Sequence, residues 1–391
     1  MAPRVVRMTT HRVTWTEARA RRLERQGLAA PAPSSPAGIA AAMLGAHAQV
    51  LSAAELSLAL RLDGGATRAD VREALWNEGS LVKTYGPRGT VHLLAAADLP
   101  LWTGALSAIP AGPSPMPTDV RMTAEQTAQV VAAIGDALAG AELTIDELTE
   151  AIVARTGSWA GDRVMDAFQD KWPRWRQVMH KAAHRGVLRF APNRGRKATY
   201  TSPGVAPMDG PAASAALVDR YLRAYGPATP AHFAKWLAAP KAWADGLFTS
   251  LAGKGRIEEV VFEDSPAWVA SGDAAFPDER PRGVRLLPYF DAYTIASQPR
   301  ELLFPGVAYE RALAGGQAGN FPVVLVDGTV AGVWHQRRSG RRIAVTVEPV
   351  GNALKTAARR RELELQAERV GEILQGHAEL TVGRVTVGPH A

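Results

Sequence analysis

One stretch of the chain, residues 52–94, contains a complete structural unit and reads SAAELSLALRLDGGATRADVREALWNEGSLVKTYGPRGTVHLL. Ser52 and Glu55 have the spacing of a capping box, in which two side chains satisfy each other's free backbone amides at a helix start. A second helix is predicted to begin near Thr67 and to end before Gly79, because glycine suits the left-handed position that closes a helix. Alternating apolar and polar residues then predict a β-hairpin.

The same order of elements occurs twice more along the chain. In the second copy, Thr144 and Glu147 repeat the capping box, and the helix segment WRQVMHKAAHRG ends in Gly186. In the third copy, Thr229 precedes a helix that starts with proline, and a later helix ends at Gly255. The second copy also contains the extra segment GSWAGDRVMDAFQDKWPRW. Internal repetition of this kind indicates an array of related units.

Helix, turn, helix and hairpin is the pattern of a winged helix, which lays one helix in a DNA groove. Such units also serve as protein-interaction spacers, and for any single copy that alternative stays open. The predicted fold is mainly α with β-hairpin wings: three tandem winged-helix units in a concave arrangement, followed by a β-rich C-terminal part. The predicted domains are 12–110 for an N-terminal helix and the first unit, 118–204 for the second unit, 212–280 for the third, and 281–391 for the C-terminal part.

The region after residue 280 has a different pattern. The segment FPVVLVDGTVAGVWHQRRSGRRIAVTVEPV reads as strands, with hairpin turns at Asp327-Gly328 and Ser339-Gly340. A charged amphipathic helix is predicted from Gly351 to Gly376, and AELTVGRVTV is predicted to form a final strand. The linkers between units are predicted at PAGPSPMPTD (110–119) and SPGVAPMDGPAAS (202–214).

Composition narrows the function. The chain has no cysteine, which excludes disulfides, thiolate zinc sites and iron–sulfur clusters, so we expect neither a metal nor a redox cofactor. A net charge of +7 and an isoelectric point near 9.8 favour a polyanionic partner, although a GC-rich genome would also enrich arginine and alanine. The arginine-rich N-terminus, MAPRVVRMTTHRVTW, lacks the apolar core of a secretory signal, and a cytoplasmic protein is expected.

The strongest candidate for chemistry lies just before the first predicted capping box. Residues 45–51, GAHAQVL, connect an apolar helix to a helix start, where free amides can hold a water or an anion. If the segment is extended, His47 and Gln49 project to the same side, and an imidazole beside an amide can orient one water molecule. A buried structural histidine and a surface glutamine would give the same pattern, so the residues alone leave both interpretations open.

The chain resembles the winged-helix DNA glycosylases of the AlkZ and YcaQ type. The matching stretches are AMLGAHAQVLSAAELSLALRL, LVKTYGPRGTVHLLAAADL, WRQVMHKAAHRGVL and RLLPYFDAYTIA. Members of that family are similar to one another in carrying a catalytic Gln-aliphatic-Gln or Gln-x-Asp triplet in the first of these stretches. Here the triplet position reads His47-Ala48-Gln49, so the last residue matches the Gln form and the first is histidine instead of glutamine. The resemblance implies a DNA glycosylase with His47 and Gln49 as its catalytic residues.

The chemistry of the implied substrate tolerates histidine at the first position. A purine alkylated at N7 or N3 is positively charged, so its glycosidic bond is weak and the base needs little acid assistance to leave. The enzyme must then stabilise an oxocarbenium-like sugar and direct a water at C1′. A neutral imidazole can position that water and accept its proton. We therefore interpret His47 as the water-activating residue and Gln49 as the water-positioning residue.

Four further residues carry reactive side chains, and a structural role is favoured for each. Glu55 is interpreted as a helix cap, and Asp291, in LPYFDAY, as an anchor for its loop rather than a site residue. His180 and His184 have the i, i+4 spacing of metal ligands, but no glutamate lies between them in the HExxH sense. They are interpreted as cationic groups near a helix C-terminus.

We expect basic residues in the wings and helices to contact DNA. For any one cluster, an equally good alternative is that its charges are only solvated and bind nothing. The densest cluster surrounds a glycine turn, and a hairpin this basic can enter a groove or clasp phosphates. The candidates are Arg88 in the first wing; Lys171, Arg174, Arg176 and Lys181 on the second unit's helix; Arg189, Arg194, Arg196 and Lys197 in its wing; and Arg337, Arg338, Arg341 and Arg342 in the C-terminal part.

The sequence thus predicts a monomeric, nucleoid-associated and monofunctional DNA glycosylase. The resemblance implies that its partner is double-stranded DNA carrying cationic N7-alkylated purines, including bulky natural-product adducts or interstrand crosslinks, in repair or self-resistance. No membrane and no obligate protein partner are expected. The alternatives are a non-catalytic winged-helix transcription regulator or architectural DNA-binding protein, and a protein-interaction array that binds no DNA.

Overall fold

A computed structural model describes residues 11–114, 116–167 and 170–389 of the chain. Most of the N-terminal stretch discussed above, residues 1–10, lies outside the described residues, as do residues 168–169 of the second predicted domain and 390–391 of the fourth. Helices and sheets both contribute substantially to the described part, so the fold is mixed rather than mainly α. The predicted β-rich C-terminal part is present as a five-stranded sheet.

The first region holds a three-stranded antiparallel sheet, with four helices before its β3–β4 hairpin. Its elements are β1 (Arg12–Val13), α1 (Trp15–Arg25), α2 (Pro36–Ala42), β2 (Ala46–His47), α3 (Leu51–Ala59), α4 (Arg68–Trp76), β3 (Leu81–Tyr85), β4 (Val91–Ala95) and α5 (Leu99–Ser107). Strand β4 lies between β2 and β3. The predicted second helix is confirmed: Thr67 caps α4, and Gly79 after it has a φ of 69°.

The first predicted capping box is wrong. Helix α3 begins at Leu51 with Val50 as its N-cap and has no side-chain cap, so Ser52 already lies inside the first turn. Glu55 is buried and forms an ion pair with Arg72, with 2.6 Å between Oε1 and Nε. A charged partner on α4 therefore holds this carboxylate, which local spacing along α3 could not reveal.

The second region repeats the order and confirms its predicted caps. Its elements are α6 (Ala124–Leu138), β5 (Glu142–Thr144), α7 (Ile145–Thr156), β6 (Arg163–Asp166), β7 (Lys171–Pro173), α8 (Met179–His184), β8 (Arg189–Arg194) and β9 (Lys197–Thr201). Thr144 and Glu147 form the capping box, and Gly186 has a φ of 74°. The extra segment of this copy forms the separate hairpin β6–β7, while β9 lies between β5 and β8.

The third region has the same order with a different third strand. Its elements are α9 (Gly210–Tyr225), α10 (Pro230–Leu237), α11 (Lys241–Gly253), β10 (Ile257–Phe262) and β11 (Ser265–Ala270). Thr229 caps α10 as predicted, and Gly255 has a φ of 64°. Strand β1 pairs in parallel with β10, so the N-terminus of the described chain joins this distant hairpin. The second predicted linker is shorter than expected because α9 already begins at Gly210.

The C-terminal part is built on a sheet with the order β12-β13-β14-β15-β16. Its elements are β12 (Val284–Leu287), α12 (Ala292–Ala296), α13 (Arg300–Leu303), α14 (Val307–Ala312), β13 (Val323–Val326), β14 (Thr329–Ser339), β15 (Arg342–Pro349), α15 (Ala357–Ile373) and β16 (His377–Val382). The turn at Asp327-Gly328 is confirmed, and the second turn is closed by Ser339 pairing with Arg342. Strand β16 returns parallel to β15 after α15.

One hydrophobic core joins the first region to the C-terminal sheet. It contains Met43 and Leu58 from the first region together with Val284, Trp334 and Val345 from the sheet, all nearly inaccessible to solvent. Close packing of this kind leaves neighbouring elements little freedom to shift. The loop that follows β12 is thereby held beside strand β2, which carries the candidate catalytic triplet.

Candidate active site

The triplet His47-Ala48-Gln49 runs from the end of β2 to the start of α3. A turn with positive φ at Gly45 leads into the strand, and a side chain there would lie 2.6 Å from Leu94, so only glycine fits. The backbone N–H of Ala48 continues the strand pairing by donating to the carbonyl of residue 91 at 2.7 Å. The strand pairing therefore continues through Ala48, and Gln49 follows in a bend just before α3.

The two candidate catalytic side chains differ in exposure. His47 is only 6% exposed, whereas Gln49 is exposed, and Ala48 between them is buried. The amide is therefore accessible to solvent, while the imidazole is held within the protein. Burial alone does not separate a catalytic histidine from a structural one, so the groups around His47 decide what it can do.

Two aromatic rings contact the His47 imidazole. His92, its cross-strand partner on β4, meets it edge to face with 5.1 Å between ring centroids. Phe290, from the loop between β12 and α12, stacks on it with 4.4 Å between centroids and 28° between planes. The imidazole is thus held by one ring from its own sheet and one from the C-terminal part.

His92 is a neutral neighbour at physiological pH. Its Nδ1 lies 2.8 Å from the backbone carbonyl of Thr90, which can only accept, so this nitrogen carries the hydrogen. Burial lowers the pKa of His92 well below its usual value, and the nearby Arg88 guanidinium acts in the same direction. His47 therefore lies beside a fixed, uncharged ring rather than beside a cation.

Asp291 anchors its loop, as the sequence favoured. Its carboxylate forms a fully buried ion pair with Arg61, with 2.8 Å between Oδ1 and Nη2, and accepts the Ser57 hydroxyl at 2.7 Å. It also caps α12 by accepting the N–H of Tyr293. The same contacts tie the Phe290 loop to helix α3, directly after the triplet.

His180 and His184 are not the cationic groups that the sequence indicated. Both residues are partly buried, and burial lowers the pKa of His180 and lowers that of His184 to about 4. The Nε2 atom of His184 lies 3.2 Å from the carbonyl of Gly86 at the tip of the first hairpin. Within the described parts of the chain, no cluster of three or more His, Asp or Glu side chains is arranged to hold a metal ion.

Several predicted DNA-contact residues are engaged within the protein. The guanidinium of Arg88 donates to the carbonyl of Trp236 in α10 at 2.7 Å, and that of Arg174 donates to the carbonyl of Val120 at 2.8 Å. Arg176 lies 4.0 Å from the centroid of the exposed Trp172 ring. Arg189 is half-buried and donates to the carbonyl of its neighbour, Phe190.

Other candidates form surface ion pairs or are simply exposed. In the second hairpin, Arg194 pairs with Glu147, and Lys197 pairs with Asp146 at 2.7 Å. In the C-terminal hairpin, Arg338 donates to the carbonyl of Leu374 at 2.7 Å and Arg342 pairs with Glu379 at 2.5 Å. The remaining candidates are exposed and lie at the surface: Lys171, Lys181, Arg196, Arg337 and Arg341.

The sequence did not single out His92 and Phe290. Both lie in stretches that carry the family resemblance, in TVHLL and PYFDAY, so the signal was present in the residues. Their role as neighbours of His47 depends on the pairing of β2 with β4 and on the packing of the C-terminal sheet against the first region. Neither contact can be read from the spacing of residues along the chain.

Comparison with solved structures defines the class of protein. The fold matches that of the Streptomyces sahachiroi DNA glycosylase AlkZ with a TM-score of 0.80 and 27% sequence identity, over 95% of this chain and 100% of that one. A curated relative, the interstrand DNA cross-link repair glycosylase of Streptomyces sahachiroi, is 30% identical over 343 residues, which is 83% of this chain and 88% of the relative. The chain is therefore a DNA glycosylase.

The family follows from the sequence match. The sequence model described as "DNA glycosylase AlkZ-like" matches residues 40–373, a span that includes the triplet and both ring neighbours of His47. The chain belongs to the AlkZ-like DNA glycosylase family. In the described ranges, no helix is long and apolar enough to cross a membrane.

Proposed function

We propose that this chain hydrolyses the N-glycosidic bond of cationic, N7-alkylated purines in double-stranded DNA, with His47 and Gln49 as its catalytic residues. The curated relative from Streptomyces sahachiroi is named for interstrand cross-link repair, which supports bulky adducts or crosslinks as substrates. The observation that carries the proposal is the arrangement of the triplet: a fixed imidazole two residues from an exposed amide, ahead of a helix start.

The proposed reaction places one water between the triplet and the sugar. The water oxygen bonds to C1′ as the bond from C1′ to the purine nitrogen breaks, and the bonding electrons neutralise the positive charge of the leaving base. His47 accepts the proton that the water loses and releases it to solvent. Gln49 orients the same water through its amide. The products are the free base and an abasic site, which we propose is left uncleaved.

Two carboxylates close to the triplet in sequence or in space, Glu55 and Asp291, are not available to activate the attacking water. Asp291 is committed to Arg61 and Glu55 to Arg72, and both side chains are fully buried. A pair of free carboxylates, one acting as an acid on the leaving group, is the usual arrangement for cleaving a glycosidic bond with a poor leaving group. The triplet therefore suits a base that leaves because it is already charged.

The three repeated regions are proposed to be tandem winged-helix units that form a concave surface around DNA. In the first and second, the last strand lies between the other two, in the orders β2-β4-β3 and β5-β9-β8. In the third, residues 228 and 268 form a bridge beside the hairpin. With the C-terminal sheet, these regions are proposed to form the four domains 12–110, 118–204, 212–280 and 281–391.

Sequence-independent binding is proposed to come from the basic surface. The exposed candidates Lys171, Lys181, Arg196, Arg337 and Arg341 can neutralise phosphates, which supplies affinity without reading the bases. Arg88 is proposed to stabilise the first hairpin rather than to contact DNA, since its guanidinium is engaged by the Trp236 carbonyl. The expected binding is weak, salt-sensitive and independent of sequence.

The test is incubation of the protein with a duplex that contains a single N7-methylguanine, followed by detection of free base and of alkali-labile sites. We expect both to accumulate, and an undamaged duplex of the same sequence to give neither. A duplex whose two strands are joined by a nitrogen mustard through the N7 atoms of two guanines would test separately whether the protein acts on interstrand crosslinks. Selective binding to undamaged sites without any base release would instead support the non-catalytic regulator.

A further inference from the structure

The backbone of Phe290 is held in an uncommon conformation beside His47. Its φ is 55°, in the left-handed region that aromatic residues rarely adopt. Its N–H donates to the carbonyl of Gly319 at 3.0 Å, and a side chain at Gly319 would approach the Phe290 ring to 2.9 Å. The next residue, Asp291, is fixed by its buried ion pair with Arg61. Neighbours on both sides thus impose this conformation.

Backbone strain of this kind is costly and is concentrated at functional sites, where the surrounding structure enforces it. The left-handed conformation of Phe290 places its ring against the His47 imidazole. The two rings stack with 4.4 Å between their centroids and 28° between their planes. An anchor for the loop alone would not need this conformation, because Asp291 and Arg61 already provide one.

We propose that Phe290 is a positioning residue, whose ring holds the His47 imidazole in one plane against the edge of His92 so that it presents a single orientation to the attacking water. The inference rests on the proposed catalytic role of His47. An unrestrained imidazole turns about its outer side-chain bond, whose torsion is broad. A group that activates water must be held within about 0.5 Å and 10–20° of its productive geometry.

The specific consequence is that Phe290 acts only through His47. Removing the Phe290 ring should slow the chemical step and leave DNA affinity unchanged, because the ring is proposed to touch neither phosphates nor the sugar. Tyrosine keeps a six-membered ring for stacking and should preserve the effect, whereas leucine fills part of the space without a flat face. In a protein that already lacks His47, the loss of the ring should change nothing further.

The experiment measures single-turnover release of N7-methylguanine from a duplex by the full chain and five variants: Phe290→Leu, Phe290→Tyr, His47→Ala, the double variant His47→Ala/Phe290→Leu, and Phe276→Leu as a matched control. Phe276 is a similarly half-buried ring that stacks on Arg21, and the control therefore reports the general cost of removing such a ring. We expect Phe290→Leu to slow release about tenfold with unchanged duplex affinity. Phe290→Tyr and Phe276→Leu should stay near the wild-type rate.

A second readout is independent of activity. The ring Cε1–H resonance of His47, assigned by its disappearance in His47→Ala, should be displaced by the ring current of Phe290 in the wild type. It should move toward its unstacked position in Phe290→Leu and much less in Phe290→Tyr. This measurement also covers the case in which Phe290→Leu is poorly folded, because a His47 resonance that is not displaced in the wild type would by itself contradict the stacking.

Two results would overturn the proposal. The first is a folded Phe290→Leu variant that releases base at the wild-type rate. The second is a further slowing of similar size when Phe290→Leu is added to His47→Ala, since Phe290 would then act independently of His47. A wild-type protein that releases no base at all would contradict the proposed function itself, and the positioning role would fall with it.

Discussion

The first and second hairpins follow the same order of elements but differ in what their tips touch. The first tip, between β3 and β4, is packed inside the protein: Arg88 donates to the carbonyl of Trp236, and Gly86 lies against the His92 ring. The second tip, between β8 and β9, faces solvent, and Gly195 there has open space around it. Its strand-end charges, Arg194 and Lys197, form ion pairs with Glu147 and Asp146 at the start of α7.

This difference shows that one sequence pattern serves two purposes. The first hairpin supports the candidate site, because its strand β4 carries the ring that meets His47. The second keeps its basic residues at the surface, where they can meet phosphates. A basic residue at a hairpin tip is therefore not in itself evidence of DNA contact, and matched substitutions in the two hairpins can test the distinction.

The largest expected effect on stability is a loss on acidification, caused by His184 beside the first hairpin. His184, which contacts the carbonyl of Gly86, has its pKa lowered from 6.5 to about 4 by burial. The unfolded chain binds this proton below about pH 6.5 and the folded chain only near pH 4, so stability is full above that window and falls as the pH drops through it. The expected loss is about 1.4 kcal/mol per pH unit, roughly 3 kcal/mol in all.

The measurement is urea unfolding at a series of pH values between 7 and 4, for the wild type and for His184→Asn. The variant should show a shallower dependence on pH over that window, whatever its stability at pH 7. An unchanged slope would show that His184 is not the buried neutral group inferred here.

Removal of the two tip arginines should affect stability unequally. Arg88→Ala should lower the free energy of unfolding by about 2 kcal/mol, because it removes a charge-assisted hydrogen bond and leaves the Trp236 carbonyl without this donor. Arg196→Ala, at the exposed tip, should change it by less than about 0.5 kcal/mol. Denaturant unfolding of both variants side by side provides the test, and equal effects would contradict the contrast between buried and exposed tips.

Alanine in place of glycine should separate the two tips in activity. At Gly86, a new Cβ would lie 2.9 Å from Nδ1 of His92, so the ring must move and disturb its contact with His47. We expect Gly86→Ala to slow release of N7-methylguanine about tenfold. Gly195→Ala adds a side chain in open space and should keep the wild-type rate, although its positive φ of 63° costs about 1 kcal/mol of stability.

The smallest expected effect concerns DNA affinity. Arg196→Ala should weaken binding to any duplex by a similar factor, and the slope of log affinity against log salt should fall by about 0.9, as for the loss of one phosphate contact. Arg88→Ala should leave that slope unchanged. Fluorescence titrations at several salt concentrations measure the affinity and its salt dependence for both variants. A reduced slope in Arg88→Ala would show that Arg88 does contact DNA.

Local signals predicted the fold well wherever a cap or a glycine decides an element boundary. Thr67, Thr144 and Thr229 all cap helices, and the glycines that follow the last helices have positive φ. The prediction at Ser52 and Glu55 is wrong because the buried carboxylate bonds to Arg72 on another helix. Spacing along one helix carries no information about such a partner.

The candidate site was predictable only in part for the same physical reason. The triplet lies in one short segment, so His47 and Gln49 could be selected from sequence. The rings that hold His47 come from residues 92 and 290, which meet it only through strand pairing and core packing. Likewise, the neutral state of His184 follows from burial between two regions, whereas its position near a helix end had suggested a cation.

The central claim is that His47 and Gln49 deliver one water to the sugar of a base that leaves readily. The most direct test measures single-turnover release of N7-methylguanine by His47→Ala and Gln49→Ala, with duplex affinity measured in parallel. We predict that each variant slows release by about a hundredfold or more while binding duplex DNA as the wild type does. Folded variants that release the base at the wild-type rate would contradict the claim and leave the chain's chemistry to other residues.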